Sequence, residues 1–373
     1  MSAPPNACLM KIIYANAKYE HHSAEGGQAH MRQFIQNAVG LGHEVYLWHG
    51  VDPHPLTKAV PGGKLARMKL FRSADVIYYR VEWRPPVGNK VILPPYRKLI
   101  GNPLVVWEFN TVPEYGRVQN VPEHVINEGI EQFRRLAPGV DLAICVSRAI
   151  EGYVREKLGL KRTLVVPNGS DPELFRPDVE PVKRVIKRPD RLNIVWIGSA
   201  VLGWHNFDLL RDTAWKLYDA GEGEKYQFHV IGPGMQRMRE TPPNMHYQGS
   251  EQYALLPHWL SAMDVGLNVY KPGPADYSSP LKIFDYMASG LTVVSTEQPQ
   301  AREIFEQLGQ TDLLIPHDKP ERLAEVLRGL NGDRERLRRQ GEASRKLVVE
   351  KYNWRKGVET AMGEIEKLRA GAR

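Results

Sequence analysis

Two ionisable side chains three residues apart, Lys282 and Asp285, give the clearest chemical signal in the chain. They stand in the stretch Asp276-Tyr-Ser-Ser-Pro-Leu-Lys-Ile-Phe-Asp-Tyr-Met-Ala-Ser-Gly290, ahead of the apolar run Leu291-Thr-Val-Val-Ser295. The order reads as loop, helix, glycine stop and buried strand. Pro280 suits the first helical turn, and Ser278 or Ser279 can cap its free amides. Gly290 fits the left-handed residue just past the helix end. Leu281, Phe284, Met287 and Ala288 recur at helical spacing, so that face is expected inward and Lys282 and Asp285 off it. A helix start presents free N–H groups and partial positive charge, which suits a phosphate. Lys282 adds a full charge there, and Asp285, about one turn on, can accept hydrogen bonds from a ribose. An ordinary capped helix with two solvated charges accounts for the same residues.

A second candidate is Gly26-Gly27, between the strand-like run Leu9–Tyr14 and a helical pattern through Met31, Phe34, Ile35, Ala38 and Val39. Paired glycines let backbone approach a ligand closely at a helix start. The pair lacks the three spaced glycines of a dinucleotide fingerprint, and no acid follows the second strand, which argues against a Rossmann dehydrogenase. His21, His22 and His30 read as loop or site histidines, since no carboxylate or cysteine stands beside them at ligand spacing. Nor does an Asp-x-Asp occupy a loop suited to clamping a metal diphosphate, so no metal is expected.

Around these stretches the chain alternates strand and helix. Leu41-Gly-His-Glu-Val-Tyr-Leu-Trp48 turns into a second strand, and further strands are predicted at Val76–Tyr79, Leu104–Trp107, Leu142–Val146 and Thr163–Val166. Pro177–Arg191, rich in Pro, Lys and Arg, reads as a linker. A second alternation then runs through Leu192–Ile197, a Gly198–Gly203 loop, Tyr226–Ile231, Gly232-Pro-Gly234, Val265–Val269 and Leu313–Ile315. The tail, Arg322–Leu368, is helical by periodicity, with a break at Tyr352-Asn353. The α/β class follows: two Rossmann-like, doubly wound domains facing each other across a cleft. The expected boundaries are 1–178, 179–355, and a terminal helix over 356–373 returning to the first domain.

At 373 residues, 42% apolar and 25% charged, the composition is that of a soluble two-domain protein. No apolar run approaches membrane-spanning length, and the N-terminus lacks a signal-peptide pattern. Cys8 and Cys145, both in apolar surroundings, are expected to be buried thiols in a reducing cytosol. The first 100 residues hold 13 Lys and Arg against 6 Asp and Glu, the whole net charge of +7. Lys58, Lys64, Arg67, Lys69 and Arg72 alternate there with Leu65, Met68, Leu70 and Phe71. This suits an amphipathic helix on an anionic membrane, an anionic substrate, or the solvated flank of a soluble domain. No nucleic-acid motif is present.

Taken together, the chain resembles the GT-B superfamily, and specifically the family-four retaining glycosyltransferases of group 1, from Leu9 to about Lys367. The pieces are Gly26-Gly27, Leu41-Gly-His-Glu-Val45, Cys145-Val-Ser147, Val166-Pro-Asn-Gly-Ser-Asp-Pro-Glu-Leu-Phe-Arg-Pro177, Ile197-Gly198, Ile231-Gly232, Ser279–Gly290 and Arg302-Glu-Ile304. The resemblance implies that Asp285 bonds the donor ribose, that the amides of Gly27, Leu281 and Lys282 meet the diphosphate, and that Gly26 belongs to the donor site. Ser279, Gly232 and Glu303 belong to the same implied donor site. Four places depart from the family pattern. Tyr277 stands where the first glutamate of the Glu-x7-Glu motif belongs, with Asp276 beside it. Ser199 and His205 occupy the places of an Arg and a Lys. Asn110, within Glu108-Phe-Asn110, replaces a histidine.

The implied reaction moves a hexose from a nucleotide-diphosphate sugar, foremost a UDP- or GDP-sugar, to a glycan, lipid-linked or small-molecule hydroxyl, without a metal or cofactor. Lys282 and His205 are assigned to the leaving diphosphate, and Glu108, Asn110 and Glu303 to the sugar and acceptor; Glu303 can instead cap a helix Arg302–Leu308. The expected setting is polysaccharide or glycoconjugate biosynthesis in the cytoplasm or at the inner membrane face, contacted through residues 58–72. Two other readings fit: a degenerate GT-B protein that binds a nucleotide or a protein partner without transfer, and a nucleotide-sugar epimerase.

Overall fold

The computed structural model describes residues 9–15, 19–20, 26–48, 50–52, 54–81, 101–183 and 190–371. Cys8, His21, His22 and the middle of the expected linker lie outside the described residues. The chain divides into two units, one of Met1–Pro167 with Tyr277–Ser279 and Trp354–Arg373, the other of Asn168–Asp276 with Pro280–Asn353.

The first unit is built on β1 (Lys11–Ala15), α1 (Gly26–Gly40), β2 (Glu44–Leu47), β3 (Lys58–Ala59), α2 (Lys64–Ser73), β4 (Val76–Val81), β5 (Leu104–Phe109), α3 (Glu123–Leu136), β6 (Leu142–Cys145), α4 (Arg148–Glu156) and β7 (Thr163–Val165). The strands form one seven-stranded sheet in the order β3-β2-β1-β4-β5-β6-β7, and every pairing is parallel. Strand order reverses between β1 and β4, the switch point of a doubly wound sheet. Both faces are covered, so the strands read as unbroken apolar runs. Ile12, Tyr14, Val76, Tyr78 and Val106 face one core with Phe34 and Ile35 of α1. Ile13, Ile77, Tyr79, Val105 and Trp107 face the other with Phe71, Phe133 and Tyr153. Cys145 in β6 is a free, buried thiol, and burial pushes its pKa well up.

The second unit carries β8 (Leu192–Ile197), α5 (Phe207–Leu217), β9 (Tyr226–Ile231), β10 (Met245–Gly249), α6 (Leu256–Leu260), β11 (Val265–Asn268), α7 (Leu281–Ala288), β12 (Thr292–Thr296), α8 (Pro299–Leu308), β13 (Leu314–Ile315), α9 (Pro320–Leu330) and α10 (Arg334–Glu350). Its six-stranded parallel sheet runs β10-β9-β8-β11-β12-β13, with the switch between β8 and β11. The last helix, α11 (Trp354–Gly371), belongs to the first unit, where Val358, Ala361, Met362 and Ile365 join the core of Tyr14 and Phe34. The helical tail breaks before Trp354, where the break at Tyr352-Asn353 is expected, and also at Asn331-Gly-Asp333, where Asp333 caps α10, so it comprises three helices.

The first boundary falls at Pro167, ahead of the expected 178, because the turn that follows is tied into the second unit. Ser170 bridges to Asn353 and donates its amide to the Tyr352 carbonyl at 3.0 Å. Arg345 of α10 donates to the carbonyls of Phe175 and Pro172 at 2.8 and 3.2 Å. A Pro-rich segment marks a linker by composition, but the hydrogen bonds decide where a unit begins.

Candidate functional site

The switch point of the second sheet is closed by α7. The Tyr286 hydroxyl accepts from the Ile197 amide, at the end of β8, at 2.7 Å. Its ring lies against Gly266 of β11, where a Cβ would meet ring carbons at 2.4 Å. Packing against β11, β12 and α10 buries every residue of α7 except Leu281. The expectation that Lys282 and Asp285 lie on an exposed flank is thus corrected: they are 9% and 4% exposed. The expected serine cap is also corrected. Pro280 itself is the N-cap, with an extended ψ of 122° and no side-chain cap, so the leading amides of α7 remain without an intrahelical acceptor. Gly290 takes the left-handed conformation past the helix end, at φ 74°.

Lys282 extends into an aromatic cage. Its Nζ sits 5.2 Å from the Trp196 ring centroid and 4.6 Å from that of Tyr270. Among the described residues it has no hydrogen-bond partner. Burial lowers its pKa to about 7, since an ammonium out of water without an anion is disfavoured and the aromatic faces offset only part of the loss. His205 lines the same cage, with Nδ1 3.0 Å from both the amide nitrogen and the carbonyl oxygen of Ser199. Burial, followed by the Lys282 charge, pushes the His205 pKa to about 2, so its ring is neutral. Gly232 is required beside it: φ is 134°, and a Cβ would lie 1.9 Å from the Gly198 carbonyl.

Asp285 is the second buried group on α7. Its Oδ1 accepts from Ser170 Oγ at 2.6 Å and lies 3.5 Å from the Tyr253 hydroxyl. Burial raises its pKa to about 7, against the lowering effect of those two donors. Asp276 Oδ2 accepts from the Gly273 amide at 2.9 Å, closing a local turn. Tyr277 and Ser279 fall in the first unit; the Tyr277 carbonyl accepts from Ser147 Oγ at 2.7 Å and its ring packs edge-on against Tyr153. Glu303 does not cap a helix start, because α8 begins at Pro299 and its N-cap is Gln298.

In the first unit Glu108, expected at the sugar or acceptor, is the hub of a buried cluster. Its Oε1 meets His30 Nε2 at 2.9 Å, Arg80 Nη1 at 3.1 Å and the Asn110 side-chain amide, while Oε2 accepts from the Tyr78 hydroxyl at 2.5 Å. Burial alone would raise its pKa, but the His30 charge and hydrogen bond, then Arg80 and Tyr78, bring it to about 2. Glu108 is 2% exposed and spends both oxygens on these neighbours. His30 is a buried residue of α1, edge-on to Trp354, and not a loop residue. Gly26 and Gly27 open α1, and a Cβ at Gly27 would meet Arg80 Nη2 at 3.6 Å. Among the described residues, no three His, Cys, Asp or Glu side chains group as a metal site.

Residues 211–363 match a family model described as glycosyl transferase-like. Over 98% of its length the chain aligns with the whole of a sucrose-phosphate synthase from Thermosynechococcus elongatus, at 16% identity and a TM-score of 0.64. Anabaena Alr3699/HepE, solved in complex with UDP and glucose, matches 96% of this chain and 100% of its own at 14% identity and a TM-score of 0.67. The chain has the GT-B fold of these proteins, and its matched region is glycosyl transferase-like. Bacillus subtilis (strain 168) TuaH, provisionally named a teichuronic acid biosynthesis glycosyltransferase, is 24% identical over 181 residues, 46% of this chain. The match spans less than half of that relative's length, 44%. The matched family region of this GT-B protein contains Lys282, Asp285, Glu303 and Tyr270, but not Ser170 or Trp196. The sequence reading missed Ser170, Trp196, Tyr270 and Tyr253. Trp196 and Tyr270 could have been found as the aromatic residues closing the two runs that flank the switch point.

Proposed function

We propose that this GT-B protein is a retaining, metal-independent glycosyltransferase that moves a hexose from a nucleoside-diphosphate sugar to a hydroxyl of a glycan, lipid-linked or small-molecule acceptor. One observation carries the reading: a buried ammonium without a partner, Lys282, at the start of α7, one turn from the buried carboxyl Asp285. A group in that state is completed by an anion. Breaking the bond from the sugar to the diphosphate puts negative charge on the departing oxygen. The leading amides of α7 and Lys282 stabilise it there. The acceptor oxygen bonds to the same face of the sugar carbon, and its proton passes to the diphosphate, so no strong base is needed. Asp285 takes the ribose hydroxyls, which makes a ribonucleotide the expected ligand. UDP stands first among the bases because HepE is described with UDP.

A polysaccharide or glycoconjugate product fits the name of the Bacillus relative. We assign the basic helix α2 to an anionic membrane on the cytoplasmic side: Leu65 and Met68 are 84% and 44% exposed beside exposed Lys64, Lys69 and Arg72. Among the described residues no helix is long and apolar enough to cross a membrane, so contact through this surface would be peripheral. One observation favours the second reading, nucleotide binding without transfer. Ser199 and neutral His205 supply no cation beyond Lys282.

Thermal stabilisation by UDP, GDP, ADP and TDP and their sugars, with magnesium or with EDTA, tests the proposal. Ligand at a hundred times its Kd should add about 2.7 kcal/mol. One nucleotide standing clear of the others, unaffected by EDTA, is the expected result, and Asp285→Ala should abolish most of the shift while leaving the fold intact. No shift from any nucleotide overturns the donor site. A shift without sugar transfer to any acceptor selects the second reading.

A further inference from the structure

The turn Pro167-Asn-Gly-Ser-Asp-Pro172 has no part in the reaction as stated so far, yet it ends on the buried carboxyl of α7. We propose that Ser170 is a positioning residue for the donor: its hydroxyl, fixed by the turn, holds the Asp285 carboxyl in the orientation and ionised state that accept hydrogen bonds from a ribose. The inference rests on the donor-site reading above and deepens it.

The geometry is over-determined. Ser170 is fully buried and its Oγ donates to Asp285 Oδ1 at 2.6 Å, the length of a charge-assisted hydrogen bond. The backbone that carries the hydroxyl is itself fixed. The Ser170 amide donates to the Tyr352 carbonyl, and the residue bridges to Asn353. A Cβ on Gly169 would come within 2.7 Å of the same Tyr352 carbonyl, so the turn lies flat against that strand of chain. Asp171 Oδ1 accepts from the amides of Glu173 and Leu174 at 3.0 and 3.3 Å, and Arg345 holds the Pro172 carbonyl. A hydroxyl spent on Oδ1 leaves Oδ2 to the ligand.

The electrostatics give the contact its purpose. Burial disfavours the Asp285 carboxylate, and the nearby Asp171 charge acts in the same direction. Ser170 and, at longer range, the Tyr253 hydroxyl act against them. The other charged or titratable groups at this helix include Lys282 and Tyr286 on α7 itself, Tyr352, whose ring packs against Phe284, and Arg345 from α10, whose guanidinium sits on the Ala288 carbonyl. Among the described residues none of these hydrogen-bonds the carboxyl, so Ser170, at 2.6 Å, is the principal donor that favours its ionised form. A carboxylate accepts from two ribose hydroxyls, whereas a protonated carboxyl offers one acceptor fewer and a competing donor.

The test is isothermal titration of the full chain with UDP and with GDP at pH 6.0 and 8.5, using wild type, Ser170→Ala and Ser170→Cys. Losing one hydrogen bond to a charged group moves the carboxyl up by about one pKa unit or more. Ser170→Ala should therefore bind about tenfold more weakly than wild type at pH 6.0 and less than about twofold more weakly at pH 8.5. Ser170→Cys, close in size but a weak donor, should repeat the pattern and covers the case in which the alanine variant folds poorly. Equal losses at both pH values in both variants would make the turn a packing element and overturn the inference, leaving the donor site standing. Failure of wild type to bind either nucleotide at any pH would remove the donor site, and this inference with it.

Discussion

Two buried charge sites in this GT-B protein are built on opposite principles. Around Glu108 in the first unit, four polar side chains converge on one carboxylate, and its pKa falls to about 2 although burial acts the other way. At the start of α7 in the second unit, Lys282 lies among aromatic faces and a neutral imidazole, with no hydrogen-bond partner among the described residues, and its pKa falls to about 7. Asp285, one turn on, rises to about the same value. A satisfied buried charge is finished and belongs to the scaffold. An unsatisfied one carries a cost that a change of protonation or a ligand that pairs with it removes. The contrast divides, by satisfaction of charge, residues that the sequence reading assigns to one site.

The contrast breaks if the Glu108 cluster proves dispensable. Glu108→Ala leaves Arg80 and His30 without their common partner, and urea denaturation should show a loss of about 3–5 kcal/mol. Lys282→Met should do the reverse: stability in urea unchanged or higher, but sugar transfer down by about a hundredfold or more, the scale of losing a main charge stabiliser, about 2.7–4 kcal/mol. A destabilised Lys282→Met would mean that the ammonium is structural after all.

Acidity sharpens the comparison further, because the two carboxylates have opposite linkage. Glu108 has a folded pKa below its ordinary value. Its stabilisation is complete above about 4.5 and is lost as pH falls from there toward 2, by up to roughly 3 kcal/mol. Asp285 has a raised folded pKa, so the folded state binds more protons between 3.8 and about 7, and its penalty grows as pH rises through that window. Asp285→Asn should accordingly stabilise the ligand-free protein at pH 8, on the order of 1–3 kcal/mol, and give no gain near pH 3. Denaturation curves across pH check both signs. Nucleotide binding by the same Asp285→Asn protein should fall, since the amide cannot accept as the carboxylate does.

Much of the fold was legible because parallel strands buried on both faces must be apolar throughout. Leu192–Ile197 and Tyr226–Ile231 were read to the residue, and Gly290 was placed from the chemistry of helix ends. Met245–Gly249, with His246 and Gln248 in an edge strand, does not read as an apolar run and was missed. For the site, the pairing of Lys282 with Asp285 was visible from their spacing. Their burial was not, because helical periodicity assigns one inward face and α7 is covered from several sides.

What the sequence by itself determined is local: the alternation of strand and helix, the glycine stops, and two opposite charges one turn apart on a short helix. These follow from backbone sterics and periodicity within a few residues. The tertiary structure decided which charges are satisfied. Ser170 stands 115 positions from Asp285, and Tyr78 and His30 lie 30 and 78 positions from Glu108. Whether a buried charge meets a donor, an opposite charge or only an aromatic face depends on contacts across such separations, and those contacts divide scaffold from site.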